Sequence, residues 1–334
     1  MATTMQDVAR YAAVSTATVS RALNKPELVD EDTRQRVLEA VRELGYRIYA
    51  AARTLRTRRT QHLAVVVDSL TDPLTVSIIE HFEDTVLHHD YTVQLYVTQG
   101  KENRLQLYLR MLTERGQTDG VLWMAARPHP DDLRKLAEYD IPVVMLNVYN
   151  DLVPVLEFDF AAVAYEATRY LMEQGHSRIG LIVDSVAEAS QYHKLSDGYR
   201  MALEDVEPPV DDALIIDITK RDPSGWSTAI RRMFSSVELP TALVTCDDRV
   251  AAQVYQVCAQ KEIRVPQEMS IIGVGDLPIS RFLHPMLTTV QLPTEHMGAL
   301  AFKTLQNILT GKPAGMDIHH PPPQIIERDS VLPR

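Results

Sequence analysis

The segment MQDVARYAAVSTATVSRALN, residues 5–24, constrains this chain more than any other. It reads as two short helices joined by a tight turn. Val8, Ala9 and Ala12 fall on one face of the first helix. Thr4 followed by Asp7 has the pattern of a side-chain N-cap with an acid at the third helical position. After Ala13-Val14, Ser15 caps a second helix whose inner face is Val19, Ala22 and Leu23. Thr16, Ala17, Ser20 and Arg21 then point outward. In a helix-turn-helix the second helix lies in the major groove, with its N-terminal residues at base edges. Arg21 has the fork for a guanine, and Thr16 and Ala17 suit a thymine methyl. An ordinary helical hairpin with a solvated polar face shares this pattern.

Charge separates the two readings. The net charge of −11 argues against a nucleic-acid binder until the chain is divided. Residues 1–60 carry eleven Lys/Arg against seven Asp/Glu, and the remainder carries 23 against 38. Arg47, Arg53, Arg56, Arg58 and Arg59 crowd one acid-free stretch directly after the hairpin. A basic head on an acidic body reads a duplex while the body avoids non-specific contact with it. A third helix is expected from Asp30 to Leu44, capped by Asp30 and ended by Gly45, with Val37, Leu38, Val41 and Leu44 inward. It closes a head of residues 1–46. Residues 47–60 are too polar to bury, and their alanines make a helix that is marginal alone. That segment is expected to order on DNA.

From Leu63 onward, apolar runs alternate with amphipathic stretches. Runs at 63–67, 92–97, 120–124 and 142–146 read as buried parallel strands, with helices at 74–89, 102–115 and 131–138. The pattern recurs at 178–183, 213–218, 241–245 and 270–274. The fold class is therefore α/β: a helical head and two doubly wound lobes, with ligands favoured at the carboxyl ends of the strands. Asp72, Leu74, Met124, Asn147, Asp184, Asp247 and Asp276 follow strands and are candidate ligand contacts. An Asp at a strand-to-helix junction serves equally as a helix cap. Trp226 reads either as a cleft aromatic or as core.

DVARYAAVSTATVSRALN closely resembles the N-terminal signature of the LacI/GalR family of bacterial transcription regulators. The resemblance continues through VDEDTRQRVLEAVRELGY (29–46), GHSRIGLI (175–182), VPQEMSIIGVGD (265–276) and HPMLTTVQLP (284–293). It implies a periplasmic-binding-protein-like body with an effector cleft between discontinuous lobes, one of about 61–160 and 291–322, the other of about 161–290 and 323–334. It also implies hinge helices that enter the minor groove, where a leucine wedges between base steps. Leu55 holds that place, with Ala52 before it and Arg53 and Arg56 beside it. Ser15, Thr18 and Ser20 are expected on phosphate, and Met5, Asn24, Thr33 and Tyr46 complete the candidate DNA contacts.

Three departures bear on function. Ile48-Tyr49 replaces the usual Pro-Asn, removing a helix-start signal. Leu195 stands where sugar-binding members carry arginine, and Gly275-Asp276 lacks the first acid of the usual pair. Arg and Asp grip vicinal hydroxyls through charge-assisted bonds. The effector is therefore expected to be a sugar derivative or other polar metabolite rather than a plain hexose, or the cleft answers to a protein partner or to nothing.

Two cysteines, Cys246 and Cys258, form no disulfide framework and have no partners at metal-ligand spacing. No secretory signal, membrane span, phosphate loop or nucleophile motif is evident, so neither enzyme, metal nor cofactor is expected. The expectation is a cytoplasmic, nucleoid-associated regulator, a repressor acting as a homodimer or tetramer on a double-stranded operator.

Overall fold

The computed structural model describes residues 3–24, 26–46, 59–148, 150–184, 194–204, 211–218, 223–234, 238–314 and 321–334. The chain divides into two compact units, Met1–Thr60 and Gln61–Arg334.

In the first unit, α1 (Met5–Tyr11) opens with a full capping box: the Thr4 hydroxyl accepts from Asp7 N, and the Asp7 carboxylate accepts from Thr4 N. The helix ends by reversal. Ala13 adopts φ 54°, so Val14 N donates to Ala9 O and Ala13 N to Arg10 O. This αL turn normally belongs to glycine. The Ser15 hydroxyl then accepts from Thr18 N at 3.1 Å, starting α2 (Thr16–Asn24). A 3-10 turn, Pro26–Leu28, leads to α3 (Glu31–Glu43), capped by Asp30 and closed by Gly45 at φ 57°. Val8, Val19 and Val37 meet at the centre, and Ala9, Ala12, Ala22 and Ala40 let the three helices approach closely. Thr3 Oγ1 donates to Leu44 O at 2.9 Å and ties the start of the head to the end of α3.

The second unit holds two sheets. The first contains β1 (His62–Val67), β2 (Thr92–Val97), β3 (Gly120–Met124), β4 (Val143–Leu146) and β5 (Val155–Leu156), all parallel, in the order β2-β1-β3-β4-β5. The second contains β6 (Ile179–Val183), β7 (Ile215–Asp217), β8 (Ala242–Thr245), β9 (Ser270–Val274), β10 (Thr288–Gln291) and β11 (Gln324–Ile326). Its order is β11-β10-β9-β8-β6-β7, with β11 antiparallel to β10. Helices cover both faces of such sheets, which is why β1, β6, β8 and β9 are almost uninterrupted apolar runs.

The intervening helices are α4 (Pro73–Leu87), α5 (Glu102–Arg115) and α6 (Pro130–Glu138) around the first sheet. Those of the second region are α7 (Phe160–Glu173), α8 (Lys194–Leu203), α9 (Pro223–Met233) and α10 (Asp248–Gln260). The last, α11 (Thr294–Leu309), follows β10 of the second sheet yet packs on α4, β3 and β4 of the first. The chain therefore changes lobe after β5, after β10 and again before β11. Two glycines permit the closest helix contacts. A Cβ at Gly298 would stand 2.7 Å from Phe82 N of α4, and one at Gly198 would overlap the Ala161 backbone oxygen of α7.

Relative to the sequence reading, the run at 213–218 is a 3-10 turn followed by only three strand residues, and α4 ends two residues earlier. β5, β10 and β11 are additional strands. Their short polar or proline-flanked sequences lack the apolar run of a central strand, and β5 and β11 are sheet edges.

Candidate nucleic-acid interface and ligand cleft

The outer surface of α2 is built by its periodicity. Val19 and Ala22 turn into the head core, which leaves Ser15, Thr16, Ala17 and Arg21 exposed, while Thr18 and Ser20 are half-buried. The Ser15 and Thr18 hydroxyls lie 2.8 Å apart, so one edge of this surface carries donors beside the helix's positive end. Met5 and Tyr46 are half-buried against the head core. Thr33 Oγ1 accepts from the Arg36 guanidinium at 3.0 Å, and Arg34 pairs with Glu31 at 3.0 Å. The Asn24 side chain and residues Ala52, Arg53, Leu55 and Arg56, with the wedge assigned to Leu55, lie outside the described residues.

Between the lobes of the second unit lies a cavity of about 470 Å³, lined by Thr71 from the first lobe and by Asp184, Trp226, Arg249, Ala252, Gln253 and Ile279 from the second. A larger hollow of about 550 Å³, bounded by α5 and α6, lies on the first lobe alone. The inter-lobe cavity sits at the carboxyl ends of strands, where open α/β sheets place ligands. Trp226 contributes an indole whose Nε1–H is buried and finds no acceptor among the described residues.

The other candidates have different settings. Asp72 starts α4 and accepts from Thr75 Oγ1 at 2.8 Å. Asp247 caps α10 through Arg249 N and Val250 N. Leu74 is buried, and Met124 packs against the same core. Asn147, at φ 56°, accepts from Phe158 N at the crossover after β5. Leu195 is fully enclosed in the core of the second lobe. Asp276 is almost enclosed too, and both of its oxygens are engaged: Arg328 Nη2 at 2.5 Å and Arg281 Nη2 at 3.2 Å.

Sequence reasoning did not single out Arg249, Gln253 or Arg328. A charge in the first turn of an amphipathic helix gives no sign that it faces a cavity. Asp248, beside Asp247, is fully buried and accepts from Thr289 Oγ1 and Leu277 N, both at 2.6 Å. Burial nonetheless raises its carboxyl from the ordinary 3.8 to about 7, with Asp247 and Asp276 pushing in the same direction. Burial also pushes the Cys258 thiol up to about 12 and that of Cys246 well above its usual value. Neither supplies a thiolate near neutral pH. Among the described residues no cluster of His, Cys, Asp or Glu has the makings of a metal site, and no helix is long and apolar enough to cross a membrane.

Comparison with known proteins agrees with this geometry. Residues 4–48 match the profile of bacterial regulatory proteins of the lacI family, and residues 168–331 match a periplasmic binding protein-like domain. The HTH-type transcriptional repressor PurR of Haemophilus influenzae (strain PittEE) is 31% identical over 336 residues, covering 98% of both chains. A ribose operon repressor of Haemophilus influenzae is 31% identical over 309 residues, covering 90% of each. Among solved structures, the lac repressor dimer bound to operator and the anti-inducer ONPF superposes with a TM-score of 0.80. It is 20% identical and covers 99% of this chain and 100% of that one.

Proposed function

The chain belongs to the LacI family of bacterial regulatory proteins, and on that premise we propose that it is a repressor that grips a near-palindromic operator as a homodimer. That it is a DNA-binding transcriptional regulator follows from the family; the sign of regulation, the stoichiometry and the contacts are our reading. The observation that carries the reading is the exposed row Thr16, Ala17 and Arg21 at the head of α2. A helix N-terminus in the major groove presents these residues to base edges, and a two-fold dimer places two such helices on two half-sites. Ser15, Thr18 and Ser20 then position the helix on phosphate, which fixes register without reading sequence. Leu55 is assigned to the minor-groove wedge on the resemblance of the hinge segment. Because it acts on DNA, we assign it to the cytoplasm, with the nucleoid.

Control is assigned to a small polar effector in the inter-lobe cavity. Its size suits a ligand of sugar or nucleoside dimensions. The cavity differs from one built around a plain hexose. Leu195 lies in the core instead of reaching the cleft, and Asp276 is committed to Arg328 and Arg281. Two of the expected charge-assisted contacts to vicinal hydroxyls are thus missing. The effector is a sugar derivative or another polar metabolite that lies against the Trp226 wall.

Genomic footprinting, followed by binding to the selected operator, tests the DNA reading. Arg21→Ala is expected to cost about 1–3 kcal/mol on the operator and to relax preference at one base of each half-site. Equal weakening on operator and random DNA would remove Arg21 from base reading. Calorimetric titration tests the effector reading, and tight binding of an ordinary hexose would reject it.

A further inference from the structure

One wall of the inter-lobe cavity is itself a bridge. Arg249 leaves the first turn of α10 and is anchored to its own lobe, with Nη2 at 2.7 Å and Nε at 3.1 Å from Asp247 Oδ2. Asp247 is fixed in turn, because its other oxygen caps α10. The remaining guanidinium nitrogen, Nη1, crosses to the first lobe and stands 3.3 Å from Asp72 Oδ1. Asp72 holds the N-cap position of α4, yet its carboxylate makes no cap hydrogen bond. It is turned toward Thr75 and Arg249 instead. Thr71, the residue before it, is the first lobe's share of the cavity lining. The corner that meets the effector is therefore the corner that meets Arg249.

We infer that Arg249 and Asp72 form a clasp that draws the lobes together before any effector arrives, and so sets the affinity of the cleft. The inference rests on reading that cleft as the effector site. Each side chain is about one-third exposed, 36% for Arg249 and 31% for Asp72, so the pair is screened and modest. A pair of this kind changes the closed-to-open ratio about two- to fivefold. That is enough to matter, because the apparent affinity of a ligand scales with the fraction of protein already competent to bind it. The clasp also gives the cleft a dependence on ionic strength that an apolar contact lacks.

The test needs neither effector nor DNA, so its failure is distinguishable from failure of the effector reading. Glu114→Cys on α5 and Met201→Cys on α8 place one spin label on each lobe of the full-length chain, where Cys246 and Cys258 are buried. Electron-spin distance measurements then follow the closed population in ligand-free protein. Asp72→Asn is the primary variant. It keeps an acceptor for Thr75, forfeits no cap bond and removes only the charge. Arg249→Gln reports the same pair from the other lobe. The closed-to-open ratio is expected to fall two- to fivefold in Asp72→Asn, to fall likewise on raising salt to about 0.5 M, and to fall no further in the double variant. An unchanged distance distribution in Asp72→Asn at low salt, or additive effects in the double variant, would overturn the clasp.

Discussion

Arg328 Nη2 stands 2.5 Å from Asp276 Oδ1, a contact that joins the segment after β11 to the loop after β9. Both side chains are about nine-tenths enclosed. Arg328 also donates to Leu287 O at 2.7 Å and Ser280 Oγ at 3.1 Å. Arg281, the second partner of Asp276, is mostly exposed. Removing the enclosed partner leaves the nearly enclosed Asp276 with only the exposed Arg281 as counter-charge, whereas removing the exposed one leaves the enclosed pair intact. Arg328→Met is therefore expected to lose about 3 kcal/mol of stability, and Arg281→Met less than about 1 kcal/mol. Urea midpoints for the two variants check the ranking, and equal losses would contradict it.

Asp248 makes the second lobe sensitive to pH. Its carboxyl is raised to about 7 in the fold against the ordinary 3.8, so the folded state holds the proton more tightly than the unfolded chain. Between about pH 4 and pH 7 folding takes up a proton, and stability declines as pH rises through that window. Asp248→Asn imitates the neutral acid, with an amide to donate to Thr289 Oγ1 and a carbonyl to accept from Leu277 N. The variant is expected to gain on the wild type as pH rises from about 4 to about 7, with a constant difference above. Parallel stability curves across that range would refute the assignment.

Ala13 occupies the left-handed turn between α1 and α2 at φ 54°, and its side chain is exposed. A Cβ there costs about 1–2 kcal/mol, and glycine returns part of that gain as unfolded-chain entropy. Ala13→Gly is expected to stabilise the head by about 1 kcal/mol. Amide exchange at Val19 should slow by about fivefold, with operator affinity unchanged at saturating stability. Faster exchange would show that the turn is not strained.

Trp226 and Trp123 differ in a way that isolates the cleft. Trp123 is fully buried and donates to Ala126 O at 3.0 Å, whereas the indole N–H of Trp226 has no acceptor among the described residues. An effector found by operator-release screening should alter the fluorescence of the wild type but not of Trp226→Phe. An undiminished fluorescence response in Trp226→Phe would place the effector elsewhere.

Much of the architecture is legible in the chain because it depends on local period. The head follows from three apolar stripes and three caps, Thr4, Ser15 and Asp30, each of which makes the expected bond. The central strands follow from apolar runs buried on both faces. The cleft is less legible, since its lining depends on residues distant in sequence. Trp226 reads equally as core or wall until the lobes are assembled. Arg249 looks like an ordinary solvated charge until Asp72, far upstream, is set opposite it. Asp276 has the position of a ligand contact, and only Arg328 shows where its carboxylate is spent. The αL conformation of Ala13 carries no residue-type signal at all, because alanine does not announce it.

The threefold change of lobe orders the events of synthesis. The first lobe lacks α11 until residues 294–309 have been made, and the second lacks β11 and the Ser330 contacts to Ile271 and Thr288 until still later. The nascent chain thus carries a first sheet complete in its strands but lacking its last covering helix, beside a second sheet lacking one edge strand. About the last forty residues supply a closing element to each lobe, so that completion of both is tied to the end of the chain.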